Sequence, residues 1–138
     1  MSPRLRDKIV LVTGGASGIG LATAQRFAEE GAIVAIADVN TEAGDAAVAA
    51  LGERASFTRV DVSDAASVQA WVDAVVAAHG RIDVLINNAG ITRDAQLLRV
   101  KEGTLVGGLT EDDFDRVIDI NLKGVYLCTR AVAAVMIG

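Results

Sequence analysis

Cysteine is almost absent from this 138-residue chain: Cys128 stands alone, so no disulfide can form within it. It falls in an apolar helical pattern, where a buried and inert thiol is expected rather than a nucleophile. Histidine is equally scarce. The single His79 directly precedes Gly80 at an expected helix end, where a cation is favoured beside the last carbonyls, so neither a metal centre nor histidine chemistry is expected. Blocks of like charge are missing too. Thirteen Lys and Arg against 18 Asp and Glu give a net charge of −5 and a pI near 4.7, which excludes the electrostatic footprint of a nucleic-acid binder and disfavours an anionic membrane. No apolar run approaches the length of a membrane span, and residues 1–8 have no apolar segment behind their charges. The expected location is the cytoplasm.

What is present is apolar and periodic. Hydrophobic residues make up 51% of the chain and the mean hydropathy is +0.39, ample for the core of one domain. Short β-branched runs at 9–12, 33–37, 56–60 and 82–86 read as strands buried on both faces. Helical patterns at 18–30, 42–51 and 64–79 separate them, each followed by a glycine (Gly31, Gly52, Gly80) at the position that ends helices. In the third, Val68, Val72, Val75 and Val76 mark the buried face, Trp71 packs beside them, and Ser63 is the expected N-cap. Such alternation predicts an α/β, Rossmann-type doubly wound parallel sheet in the order 3-2-1-4.

The sequence Thr13-Gly14-Gly15-Ala16-Ser17-Gly18-Ile19-Gly20 joins the first strand to the first helix. A strand delivered straight into a helix N-terminus aims unpaired N–H groups and the positive end of the helix dipole at one place, which suits a pyrophosphate. Gly14 can take a turn with positive φ, Gly18 lets the backbone approach a phosphate, and Gly20 lets helix pack closely on strand. Asp38 ends the second strand eighteen residues beyond Gly20, where a carboxylate accepts from ribose hydroxyls and repels a 2′-phosphate. Val39 and Asn40 add no cation. Together these features predict NAD rather than NADP as the cofactor. Asp61-Val62 and Asn87-Asn88-Ala89-Gly90 close strands three and four on the same carboxyl edge.

Beyond strand four the pattern is irregular through residue 109. Residues 98–101 and 104–106 alternate around Glu102-Gly103, consistent with a hairpin or with a disordered surface loop. Thr110 then starts a long helix with Asp113 as a capping-box acid. One apolar stripe on it comprises Phe114, Ile118, Leu122 and Val125, and Val117, Ile120, Leu127, Ala131 and Val135 widen it around the cylinder. A helix on a sheet needs one such face, so the second is expected to meet another helix or subunit, giving a homo-oligomer through the 110–138 helix.

Thr13-Gly-x-x-x-Gly-x-Gly20, Asp61-Val62, Asn87-Asn88-Ala89-Gly90 and Asn121 within Ile118-Asp-Ile-Asn-Leu-Lys-Gly124, in this order, resemble the short-chain dehydrogenase/reductase family across essentially the whole chain. Ile91-Thr92-Arg93-Asp94 is most similar to its branch of 3-oxoacyl-carrier-protein reductases and 3-hydroxyacyl-CoA dehydrogenases. The resemblance implies an NAD(H)-dependent oxidoreductase acting on a small-molecule or acyl-thioester substrate. By it, Ser17 and Ile19 with Gly14, Gly18 and Gly20 would hold the pyrophosphate, Asp61 and Val62 the adenine, and Asn88, Ala89 and Gly90 the nicotinamide-side ribose. Asn121 would bend its helix and hold a proton-relay water. The family's catalytic serine and Tyr-x-x-x-Lys have no counterpart, since Tyr126 is followed four residues later by Arg130 and lies in the wrong helix. The stretch 96–108 is also longer than the family's common loop. The chain is therefore expected to be an inactive N-terminal half, with a catalytically silent NAD-binding module or a subunit completed by another chain as the alternatives.

Overall fold

The computed structural model describes residues 3–138. Four parallel strands form the main sheet in the order β3-β2-β1-β4: β1 (Ile9–Thr13), β2 (Ile33–Asp38), β3 (Ala55–Arg59) and β4 (Val84–Ile86). Helices α1 (Gly18–Glu29), α2 (Thr41–Leu51) and α3 (Ala65–His79) connect them in turn. This is the arrangement expected from the alternating pattern.

The period of two along the strands divides the core. Ile9 and Leu11 of β1 and Ala35 and Ala37 of β2 face α3, where Val68, Trp71, Val72 and Val75 are buried against them. Val10, Val12, Val34 and Ile36 face the other way, onto Ala24 of α1 and Ala47 of α2. With both faces covered, every residue of β1 is buried. Trp71 is 1% exposed, in keeping with its expected packing role.

The start of strand four and the cap of α3 differ from the sequence reading for local reasons. Strand four begins at Val84 rather than 82 because Asp83 engages β1 with its side chain: its N–H donates to the Ile9 carbonyl (2.9 Å), while its carboxylate accepts from the Ile9 N–H (2.8 Å) and from Arg81 Nε (3.1 Å). The cap of α3 is Asp64, which accepts from the Ala66 N–H, and not Ser63. Ser63 instead turns its hydroxyl and N–H back onto Asp61. Asn40 and Thr110 cap the helices that follow them.

After β4 the chain forms a hairpin, β5 (Leu98–Lys101) and β6 (Thr104–Gly108), so of the two readings of this stretch the ordered one holds. Glu102 and Gly103 both have positive φ, 51° and 78°, as a two-residue turn between twisted strands requires. The last helix is α4 (Glu111–Ile118), a π turn (Asp119–Lys123) and α5 (Gly124–Ile137) in sequence. Its 27 residues are long and apolar enough, by length and composition, to cross a membrane, which the sequence reading had excluded; 17% of its most apolar window is buried. Cys128 and Val132 of this helix sit in the core, and Ile120, Leu127, Ala131 and Val135 pack against it. The stripe Phe114, Ile118, Leu122 and Val125 is the one left exposed. Burial pushes the Cys128 thiol up to about 11, so the thiolate nucleophile is suppressed.

Asp83 should matter to stability in a pH-dependent way. The Ile9 N–H, Arg81 and Lys8 hold its carboxyl below the usual aspartate range. A depressed native pKa contributes stability above the unfolded value of about 3.9, and the contribution is lost as pH falls through the native value. Asp83→Ala, which strands the buried Ile9 N–H, is expected to cost about 1–3 kcal/mol in urea unfolding at pH 7. The gap between variant and wild type should close as the pH is lowered below 4, and an equal gap at every pH would contradict the assignment.

Candidate functional site

At the carboxyl edge of the sheet the β1–α1 turn is held from both sides. Gly14 (φ +62°) and Gly18 (φ +54°) occupy the left-handed region that other residues avoid. Gly20 packs against the turn so tightly that a Cβ there would collide with the Gly14 carbonyl oxygen. On one side, Thr13 Oγ1 accepts from the Asn88 and Ala89 N–H groups (both 2.9 Å) and donates to the Ile86 carbonyl (3.4 Å). Asn88 Nδ2 donates to the Gly14 carbonyl at 3.1 Å. On the other side, the Asp38 carboxylate accepts from the Ala16 N–H (3.2 Å) and the Asn40 N–H (3.1 Å). The turn is thereby fixed to the ends of β4 and β2.

The first turn of α1 is the open position in this frame. Its N-cap Ser17 makes no side-chain capping bond, in contrast to Asn40, Asp64 and Thr110. Uncapped N–H groups at a helix N-terminus are an anion site. A Cβ on Gly18 would meet nothing, so the backbone there is open to an incoming group.

A cleft of about 280 Å³ runs along the edge. Eight of the residues nominated from the sequence line it: Gly14, Ser17, Asp38, Asp61, Val62, Asn88, Ala89 and Gly90. Gly18, Ile19 and Gly20 lie in the first turn of α1 beside it, with Ile19 80% exposed. Val39, Val60, Ile91 and Ile120 complete the lining; the sequence reading weighed Val39 only as a position without a cation beside Asp38 and gave the other three no role at the cofactor. Val60 could have been found from strand alternation with Val62; Ile91 and Ile120 come together only through the fold.

Asp61 is held as a carboxylate. The Ser63 hydroxyl (2.6 Å) draws its carboxyl below the usual range, with the Ser63 N–H and the charges of Arg116 and Arg59 acting in the same direction against partial burial. Its own N–H donates to Ser67 Oγ at 3.1 Å. Asn121 lies in the π turn between α4 and α5. Its amide pairs with one residue at the cleft: Oδ1 accepts from the Ile91 N–H and Nδ2 donates to the Ile91 carbonyl, each at 2.8 Å. Asn121 itself is outside the lining and acts on the cleft through Ile91. The arrangement can cradle an anion at α1 and offer carboxylates to hydroxyl or amino groups farther along. Tyr126 stays exposed on α5, paired with Arg130 at 2.8 Å.

A model of the short chain dehydrogenase family matches residues 8–138. The chain belongs to that family. Galactitol 2-dehydrogenase of Agrobacterium fabrum is 44% identical to this short-chain dehydrogenase over 134 residues, 97% of this chain and 49% of that protein. A 3-oxoacyl-(acyl-carrier-protein) reductase of Thermotoga maritima is 44% identical over 137 residues, 97% of this chain and 52% of that protein. The crystal structure of a 3-ketoacyl-(acyl-carrier-protein) reductase from Brucella melitensis, complexed with NADH, matches with a TM-score of 0.81 at 34% identity, covering 95% of this chain and 51% of that one. The chain thus spans about half the length of the relatives it matches.

The Thr13 hydroxyl should be the most sensitive single group in this frame. Thr13→Val keeps the shape but leaves the part-buried Asn88 and Ala89 N–H groups without their acceptor, at an expected total cost of about 1–3 kcal/mol. Thr13→Ser should recover most of the loss in denaturant unfolding. Equal instability of the two variants would assign the effect to packing.

Proposed function

We propose that this chain is the cofactor-binding half of an NAD(H)-dependent oxidoreductase that moves a hydride between nicotinamide and a 3-oxoacyl or 3-hydroxyacyl thioester. The observation that carries the cofactor choice is the Asp38 carboxylate in the cleft wall, with Val39 beside it and, among the described residues, no cation bonded to it. Arg59, its register partner on β3, makes no bond to it. A carboxylate there accepts from two ribose hydroxyls and repels a 2′-phosphate. The acyl-thioester class is supported by the likeness to the Thermotoga reductase and by the run Ile91-Thr92-Arg93-Asp94, whose first residue lines the cleft.

The residues fit such a cofactor. The uncapped first turn of α1, with Gly14, Ser17, Gly18, Ile19 and Gly20, would bind its pyrophosphate. Asp61, fixed by Ser63, and Val62 would hold the adenine, and the backbone at Asn88, Ala89 and Gly90 the second ribose. Asn121 would keep Ile91 in place and orient a water for proton relay. The bound cofactor supplies the hydride chemistry. The donor to the carbonyl oxygen and the acid with a cation-lowered pKa belong, in this reading, to the half of the protein beyond residue 138. The exposed Leu122 and Val125 of the last helix would pair with a second copy.

Calorimetric titration of the complete protein should give tighter binding of NADH than of NADPH. Asp38→Ala combined with Val39→Arg should move the preference toward NADPH by about 1–3 kcal/mol, or roughly 5-fold to 150-fold. A wild type that already prefers NADPH would overturn the cofactor assignment. Residues 1–138 alone should not oxidise NADH with an acetoacetyl thioester, whereas the complete protein should. Turnover by the purified short chain would place the catalytic groups within it and refute the division of roles.

A further inference from the structure

The β5–β6 hairpin has no part in the cofactor reading. Every residue from 92 to 108 is exposed, and Leu98, Val100 and Leu105 expose 64%, 60% and 60% of their surface. A lone two-stranded ribbon is only marginally stable in water, so one that displays apolar side chains requires a covering surface. A groove on the ribbon is lined by Arg99, Val100, Lys101 and Val106, two cations and two valines. Among the described residues, neither cation pairs with a carboxylate.

The outer face of α4 presents the complementary pattern. Phe114 and Ile118 are 53% and 37% exposed, and Glu111 and Asp115 stand one turn apart beside them. Neither acid makes an ion pair among the described residues. Residues two apart on a strand are separated by about 6.6 Å and residues one turn apart on a helix by about 6 Å, so the two cations match the two acids in spacing. Within one chain these charges do not meet, although only Leu109 and Thr110 separate β6 from α4. Two complementary surfaces side by side on one chain are what a two-fold axis pairs reciprocally.

We propose that the hairpin of each copy lies across α4 of a second copy, with Arg99 and Lys101 against Glu111 and Asp115 and Val106, on the same face of the ribbon, against Phe114 and Ile118. The clasp is independent of the cofactor and substrate assignment. It gives the long 96–108 stretch a role in assembly and extends the helix pairing at Leu122 and Val125 toward α4.

The complete protein should be tested by sedimentation. Arg99→Glu with Lys101→Glu should raise the dissociation constant of the assembly at least tenfold at low salt and far less near 1 M salt, where the screening length is about 3 Å. Adding Glu111→Lys with Asp115→Lys should restore the affinity. Lys101→Cys and Asp115→Cys carried on separately tagged copies should form a disulfide between tags under mild oxidation, without competition from the buried Cys128. An unchanged dissociation constant, a monomeric wild type, or no disulfide between tags would overturn the clasp. NADH binding measured on the same samples separates that failure from failure of the cofactor reading.

Discussion

Thr13 carries the constraint on which the rest of the site depends. A buried hydroxyl at the end of the central strand takes two N–H groups from the segment leaving β4 and returns its own proton to that strand. Parallel strands do not bond to each other beyond their ends, so without such a bridge the two segments would diverge. Asn88 adds the reverse connection to Gly14, and Asp38 ties the same turn to β2. The cleft walls are therefore set by side-chain bonds between strand ends, and the sheet ladder only brings those ends close enough to make them.

Packing beneath the edge explains why the turn can be so tight. The strand interior is buried on both faces, which places α1 and α2 on one side and α3 and α5 on the other. α1 can start directly after the turn only because Gly20 has no Cβ to meet the Gly14 carbonyl. The same closeness leaves the N-terminus of α1 uncapped at the cleft mouth, where an anion can take the place a capping side chain fills elsewhere.

What the cleft offers is a set of groups that can bind and orient: the uncapped first turn of α1 and the Asp38 and Asp61 carboxylates along the edge. At the cleft the Asp38 carboxylate accepts from two N–H groups, and the Ser63 hydroxyl and N–H favour the charged form of Asp61. The chain belongs to the short-chain dehydrogenase family and spans about half the length of the relatives named above. The helix that carries Asn121 turns its exposed apolar stripe away from the sheet, so surface remains on it for further contacts.

Strand order, the glycine turn between β1 and α1 and the Asp38 carboxylate at the end of β2 were legible in the sequence because each rests on local chemistry: β-branched runs, glycines at fixed spacing, and an acid at a strand end. Local pattern did not reveal what distant residues do to one another. Strand four is shortened by Asp83 bonding to Ile9, 74 positions away, and Ser63 is drawn from capping α3 to holding Asp61. Periodicity found two apolar faces on the last helix, but only the tertiary structure decided that Cys128 and Val132 turn inward while Phe114 and Leu122 face out. A pattern records which faces are apolar; which of them is covered depends on the surfaces the fold brings alongside.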